Sequence, residues 1–323
     1  MTDSAAPAVA VADRPATDLR TAIAGLDLPT PVMPASGCFG PELDQLIGPD
    51  ELGATVTKTV FEQTRPGNPG ERVADLYTGM LNSVGIPSPG LDGFVERVLP
   101  RYRAWHCPLI VSVGGVEDAD YARLVEGLEP HHIDAYELNF SCPNVSHGMV
   151  GVDPVAVTGI LTRVRRVTNR PILGKLTPAA ASIADVARAA EQAGADAVTV
   201  CNSFPALAID ARSRTPLLGN GTGGYTGRGV KPLALRLVHE ASTAVGLPVI
   251  GCGGIGSGLD AAEFLIAGAS AVQVGTATFS NPDAIPRITR ELQRFATTQG
   301  LERIHELVGT LRKPHGSTWE EWS

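Results

Sequence analysis

Eight short, mostly apolar, β-branched runs recur along the chain, at 31–35, 54–60, 109–113, 135–140, 171–175, 197–201, 248–251 and 271–275. They are apolar on both faces, the pattern of parallel strands covered by helices. Between them lie helical patterns of ten or more residues, at 91–105 (interrupted by Pro100), 118–128, 155–167, 183–193, 230–245 and 301–311. Start and stop signals frame these helices. Asp153-Pro154 reads as an N-cap with Pro at the first helical position, and Ser182 with Asp185 reads as a capping box ahead of a stop at Gly194. Pro232 falls in the first turn of its helix, and Ser257 and Asn281-Pro282 open two more. Eight strand–helix units predict a closed (β/α)8 barrel, the TIM barrel, with a doubly wound open sheet as runner-up. The Ala- and Pro-rich segment 1–20 reads as a flexible tail before a single domain, 21–323, in which Trp319 and Trp322 read as covering a core edge, with a partner surface as the alternative.

A barrel carries its chemistry at the C-terminal ends of its strands. Those ends read Ala35-Ser36-Gly37, Lys58-Thr59, Ser112, Asn139 to Asn144, Lys175, Asn202-Ser203, Gly253-Gly254 and Gly275-Thr276. Polar groups at one end would mean little, since every strand must stop; polar groups at all eight point to a site. Three long connections, 61–90, 141–153 and 202–229, fall on the same face and predict a roof or lid. The Gly-rich run 219–227 either lets a backbone approach a ligand or is a plain flexible loop.

Glycines after both the seventh and the eighth strand predict a phosphate site. Lys58 and Lys175 each end an apolar run and predict a pair of cations facing one ligand, against the simpler reading of solvated side chains. Asn82, Asn139, Asn144 and Asn202 fall on one rim, where their paired donors and acceptors suit a planar ligand with alternating C=O and N–H groups. Cys142 sits past a strand end, held out of any helix by Pro143, among polar groups. Its thiolate could be a covalent nucleophile, with His147 near in sequence, or a general base; the residues leave both open. Cys38, Cys107, Cys201 and Cys252 read as small buried hydrophobes.

Composition narrows the class. A net charge of −8 and pI near 5.4 disfavour nucleic acid or an anionic membrane as partner. No apolar run reaches the roughly 18 residues of a membrane helix. Residues 1–20 lack the basic start and long apolar run of a signal peptide, so the expected location is the cytoplasm. Five scattered cysteines with no C-x-x-C pair read as free thiols, and argue against an iron–sulfur cluster or zinc held by this chain alone; His131-His132 lies away from the expected mouth, so no metal site is expected.

Asn139-Phe140-Ser141-Cys142-Pro143-Asn144, with Lys58-Thr59 and Asn82-Ser83-Val84-Gly85-Ile86, resembles the dihydroorotate dehydrogenases over about residues 26–285. A cysteine at 142, where membrane-associated class 2 members carry serine, points to class 1. The segments 34–40, Gly67-Asn68-Pro69 and 142–148 look more like branch 1B than the fumarate-using 1A. The resemblance implies oxidation of (S)-dihydroorotate to orotate in pyrimidine synthesis, with FMN at the barrel mouth. Its phosphate would lie on Gly253-Gly254 and Gly275-Thr276. Ser36, Lys58, Thr59, Ser112, Asn139, Lys175, Cys201 and Gly227 would touch flavin, although Ser112 stands where the family commonly has Asn. Lys58, Asn82, Ser83, Val84, Gly85, Ile86, Asn139, Asn144, Asn202 and Ser203 would hold substrate, Ser203 standing where 1B members often have Thr. Cys142 would be the base that removes the C5 proton while hydride passes to the flavin, and Lys175 would stabilise the reduced flavin. Class 1B also implies a partner, an electron-transfer subunit with FAD and a [2Fe–2S] cluster, and a homodimer or heterotetramer. The alternatives are a 1A-type fumarate-dependent enzyme or a flavoenzyme for another dihydropyrimidine.

Overall fold

The computed structural model describes residues 15–312, except 44, 49, 103–104, 142 and 145–147, with backbone alone at 143, 144 and 148. Eight parallel strands form one sheet: β1 Val32–Pro34, β2 Thr55–Val56, β3 Leu109–Val113, β4 Ala135–Asn139, β5 Ile172–Lys175, β6 Ala197–Val200, β7 Val249–Cys252 and β8 Ala271–Val274. Their spatial order is β1-β8-β7-β6-β5-β4-β3-β2, so each strand neighbours the next in sequence. That excludes the doubly wound alternative, whose order reverses at a switch point. The β1–β2 seam is bridged by the Gly53 N–H donating to Val32 O at 2.9 Å. The result is a nearly closed (β/α)8 barrel. The second run is shorter as a strand than the expected 54–60, although its pairing with β3 continues through Thr57 and Val60.

Strand periodicity sorts the interior into layers. At the bottom, Met33, Val56, Ile110, Ala135, Leu173, Ala197, Ile250 and Ala271 pack together with Ile23 and Leu28. Those last two come from a hairpin, Thr21–Ile23 paired with Leu26–Leu28, that plugs this end. One step higher the inward positions turn polar, with Ser112, Glu137, Thr199 and Gln273 all fully buried. One step higher again stand Asn139 and Lys175. The outward residues of the strands, such as Val111, Tyr136, Leu138, Ile172 and Val198, join the helices in a second, larger core.

Three helices start where their caps predict, whereas the helix expected to open at Asn281-Pro282 begins at Ala284 with Asp283 at its N-cap, Asn281 instead ending the short helix Ala277–Ser280. Asp153 accepts from Val155 N–H at 2.9 Å, Ser257 from Asp260 N–H at 3.2 Å, and Ser182 from Asp185 N–H at 3.2 Å. Ser182→Ala should cost about 1 kcal/mol of stability, the worth of one N-cap, read as a lower urea midpoint at unchanged slope; an unchanged midpoint would show the cap to be idle. The expected helix 91–105 is a continuous helical run ending at Tyr102, with a π-turn at Phe94–Val98. Pro100 has no N–H to donate, and the wider turn just before it accommodates that loss.

Four expectations need correction. The helix at 301–311 is absent; only a 3-10 turn, Ile304–Leu307, forms there. The preceding helix, Ala284–Gln299, ends at left-handed Gly300, and the next segment bonds instead to the chain around Asp18, with Ile304 N–H donating to Asp18 O at 2.9 Å. The same contact shortens the expected tail: Thr17 and Leu19 are buried, and Thr17 Oγ1 donates to Leu301 O at 2.8 Å. Two of the three long connections are not loops, because 73–82 and 204–226 assemble into one four-stranded antiparallel sheet. The Gly-rich run supplies one of its strands, Gly223–Thr226, since glycine lets Gly224 pack closely on Ser203 where a side chain would collide. Trp319 and Trp322 lie outside the described residues.

Candidate active site

The four-stranded sheet roofs the C-terminal mouth of the barrel and encloses with it a cavity of about 1790 Å³. That is larger than the 300–1,000 Å³ of an ordinary small-molecule pocket, enough for a large cofactor beside a small substrate. Its wall brings together Ser36, Lys58, Thr59, Asn82, Ser83, Val84, Gly85, Ile86, Asn139, Lys175, Cys201, Asn202, Ser203, Gly227, Gly253, Gly254, Gly275 and Thr276. The predicted residues therefore converge from distant positions, with four exceptions. Ser112 is fully buried beneath the wall and hydrogen-bonds to Thr59 at 2.9 Å instead of reaching the cavity. Cys142 and His147 lie outside the described residues. Asn144 is described in its backbone alone, which pairs with Gly148 in a short hairpin.

The floor is a hydrogen-bonded set. Asn139 Nδ2 donates to Thr59 Oγ1 at 3.3 Å, and its Oδ1 accepts from Ser141 N–H and Asn202 Nδ2, each at 3.1 Å. Thr59 also shares a hydrogen bond with Ser36 at 3.2 Å. Five strand ends are thereby locked to one another, which fixes the amides in orientation. Asn82 reaches the site from the roof, where Nδ2 donates to Gly224 O at 3.2 Å. The following turn is strained: Ile86, β-branched, sits at φ 44° after Gly85 at φ 74°. Asn68 holds this turn through Ser83 O at 3.1 Å and Ser83 Oγ at 2.8 Å. Strain persisting at a cavity wall suits a turn shaped to present its backbone to a ligand.

The two lysines differ. Lys175 is 4% exposed. Burial pulls its ammonium down, but the Glu137 carboxylate opposes this and leaves its pKa raised. Lys58 stands open to solvent in the cavity, yet the surrounding walls lower its pKa. The thiols of Cys38, Cys201 and Cys252 are all pushed up by burial, so they stay protonated at neutral pH.

At the far wall, Gly253 has φ 135° and Gly254 φ 79°. A Cβ on Gly254 would lie 2.7 Å from Lys231 N, and one on Gly253 2.7 Å from Ala234 Cβ. Lys231, bonded to Asp260 at 2.7 Å and Glu263 at 2.8 Å, ties the helix Lys231–Ala244 to the helix Gly258–Ile266 behind this loop. The N–H groups of Gly253, Gly254 and Thr276 have no acceptor among the described residues. A glycine cradle with free donors fits a phosphate group. Sequence reasoning passed over two participants: Arg228, which lines the cavity beside Gly256, and the Glu137–Gln273 pair under Lys175. The register could have found Glu137, an ionisable residue at an inward position between Ala135 and Asn139. Nothing in the sequence marks where Arg228 reaches. Among the described residues no group of three His, Cys, Asp or Glu side chains is arranged to hold a metal, and no helix is long and apolar enough to cross a membrane.

Such a barrel, with a roofed polar mouth and a glycine cradle beside two lysines, has the architecture of an enzyme whose site lies at the barrel mouth. The sequence profile of the dihydroorotate dehydrogenase family matches residues 18–296. A protein from Solibacter usitatus, named a dihydroorotate dehydrogenase A (fumarate), is 45% identical over 91% of this chain and 98% of its own. A catalytic subunit of dihydroorotate dehydrogenase B (NAD(+)) from Geobacter sulfurreducens is 42% identical over 91% of this chain and 98% of its own. In fold the chain is similar to the Eimeria tenella dihydroorotate dehydrogenase solved with ferulenol: TM-score 0.76, 23% identity, 92% of this chain and 89% of that one covered. The chain belongs to the dihydroorotate dehydrogenase family and is a dihydroorotate dehydrogenase of pyrimidine biosynthesis. Members of this family typically bind FMN.

Proposed function

We propose that this enzyme oxidises (S)-dihydroorotate with FMN held in the cavity, Cys142 acting as the general base. The observation that carries the reading is the convergence of Lys58, Asn82, Asn139, Lys175 and Asn202 on one cavity whose far wall is a glycine cradle. FMN, when bound, supplies the hydride acceptor. Gly253, Gly254, Gly275 and Thr276 hold its phosphate, while Ser36, Thr59, Cys201 and Gly227 lie where they can touch the rest of it. Asn82, Asn139, Asn144 and Asn202 read the alternating C=O and N–H groups of the substrate ring. Lys58 faces its carboxylate, and the strained turn 83–86 closes one side. Cys142 takes the C5 proton as hydride leaves C6. Lys175 places a positive charge where negative charge develops.

The 1B reading carries an electron-transfer subunit as partner and a cytoplasmic location, and rests on the segments 34–40, 67–69 and 142–148 together with the Geobacter relative. The Solibacter relative favours the 1A reading, with fumarate as acceptor. One experiment separates them. The purified chain should be yellow and should bleach when dihydroorotate is added without oxygen. Fumarate should restore the colour of a 1A enzyme, whereas a 1B chain alone responds to neither fumarate nor NAD⁺. A colourless protein that takes up no FMN, or a flavin that stays oxidised, would sink the reading.

A further inference from the structure

Beneath Lys175 lies a second ionisable group that the proposed reaction leaves without a task. Glu137, on β4, is fully buried inside the barrel. Its Oε2 accepts from Thr199 Oγ1 at 3.0 Å and from Gln273 Nε2 at 2.6 Å. Among the described residues its Oε1 has no hydrogen-bond partner, and it lies 3.5 Å from Lys175 Nζ. Gln273 faces both ways, because its Oε1 accepts from Lys175 Nζ at 2.8 Å. Strands β4, β5, β6 and β8 thus contribute one residue each to a closed set. The direction of the Gln273 amide follows from this arrangement: it gives its N–H to the carboxylate and its oxygen to the ammonium, the orientation that suits a charged pair.

Neither charge would persist alone at this depth. A buried carboxyl without a partner takes up a proton, and a buried lysine without one gives its proton away. The other titratable groups acting near Lys175 are the Cys38, Cys201 and Cys252 thiols and, beyond Cys38, the like-charged Lys58. Protonated thiols bring no negative charge. Among the described residues Glu137 is the carboxylate within ion-pair distance of Lys175.

We propose that Glu137 is a positioning residue: the internal counter-ion that keeps Lys175 protonated and fixed at the cavity floor, with Gln273 as the bridge between them. It acts through Lys175 and never meets substrate. The proposal rests on the flavin reading in so far as Lys175 serves a bound flavin. The pair itself is a property of this chain alone.

Sulfite is a suitable probe, because it adds to an oxidised flavin and leaves negative charge on the ring that a nearby ammonium stabilises. The FMN-loaded full chain is titrated with sulfite from pH 6 to pH 9, and the affinity of each variant is divided by that of the parent, which cancels the titration of sulfite itself. For Glu137→Gln the ratio should fall at least about tenfold across this range, because burial then draws the Lys175 pKa down by several units and its proton is lost as the pH rises. Glu137→Asp, which keeps the charge, and the neutral pair Lys175→Met/Glu137→Gln should each give a ratio flat to within about twofold, since neither leaves a lysine whose charge changes over this range. A flat ratio for Glu137→Gln would overturn the proposal, since a merely structural role lowers affinity equally at every pH. Should Glu137→Gln not fold, the carboxyl resonance of Glu137 in glutamate-labelled protein decides, assigned by its absence from the double variant. An ionised carboxylate from pH 6 to pH 9 supports the counter-ion; a protonated one overturns it. A parent that binds no FMN would defeat the flavin reading instead, and the carboxyl measurement on that same chain still decides the pair.

Discussion

Cys142→Ala should leave the protein yellow and slow its anaerobic bleaching by dihydroorotate about 10²-fold or more, the usual worth of a positioned base. The substitution removes the proton acceptor and leaves standing the groups that hold cofactor and ring, so binding of orotate should change little. The other cysteines at the mouth cannot substitute for it. Burial raises the Cys38, Cys201 and Cys252 thiols, which leaves them protonated near neutrality. The variant should therefore show the same slow rate from pH 7 to pH 9, with none of the rise that a thiolate base gives as pH increases. Stopped-flow absorbance of the flavin band measures both. Bleaching at the parental rate would exclude Cys142 as the base and reopen the role of its neighbours.

Gly254→Val should weaken FMN binding at least about 10²-fold, close to 3 kcal/mol at 1.4 kcal/mol per factor of ten. Two effects act together. A β-branched residue at φ 79° adopts a conformation that L side chains rarely take. Its Cβ would also stand 2.7 Å from the backbone nitrogen of Lys231. Lys231 cannot retreat freely, because its side chain is bonded to Asp260 and Glu263 at 2.7 and 2.8 Å. The loop must then move away from the helix start and lose the arrangement of N–H groups proposed to hold the phosphate. Titration of the apoprotein with FMN and with riboflavin checks this by fluorescence. The parent should prefer FMN and the variant should lose that preference; a preserved preference would place the phosphate elsewhere. Circular dichroism separates loss of the cradle from loss of the fold.

Much of the site was legible from strand ends alone. Lys58, Asn139 and Lys175 each close an apolar run, and a barrel delivers every such end to one face, so the class of architecture was enough to gather them. Ser112 obeyed the same rule and still missed the cavity. Its short hydroxyl finds Thr59 at 2.9 Å before it can reach the mouth, and Thr59 takes the place at the wall. A roof was expected from the long connections, but the sheet that builds it was not legible. Residues 73–82 and 204–226 carry little apolar alternation, and more than 120 residues separate the strands they pair, as in Asn82 opposite Gly224. Local periodicity cannot report a partner so distant in sequence. The segment 301–311 failed for the opposite reason: its pattern suits a helix, but its backbone finds better-placed partners around Asp18.

By itself, the sequence determined the eight-unit barrel, the rim on which the polar strand ends gather, most of the caps that start the helices, and the family resemblance carried by residues 139–144. These are consequences of short-range periodicity and of residue types at strand ends, which any window of the chain contains. Only the tertiary structure decided that two long connections become one roofing sheet, that Thr17 and Leu19 belong to the core, and that Glu137, Gln273 and Thr199 meet beneath Lys175. Those depend on which inward positions of four separate strands share a layer. That register is set by closing the barrel and packing its interior, and no single segment holds it.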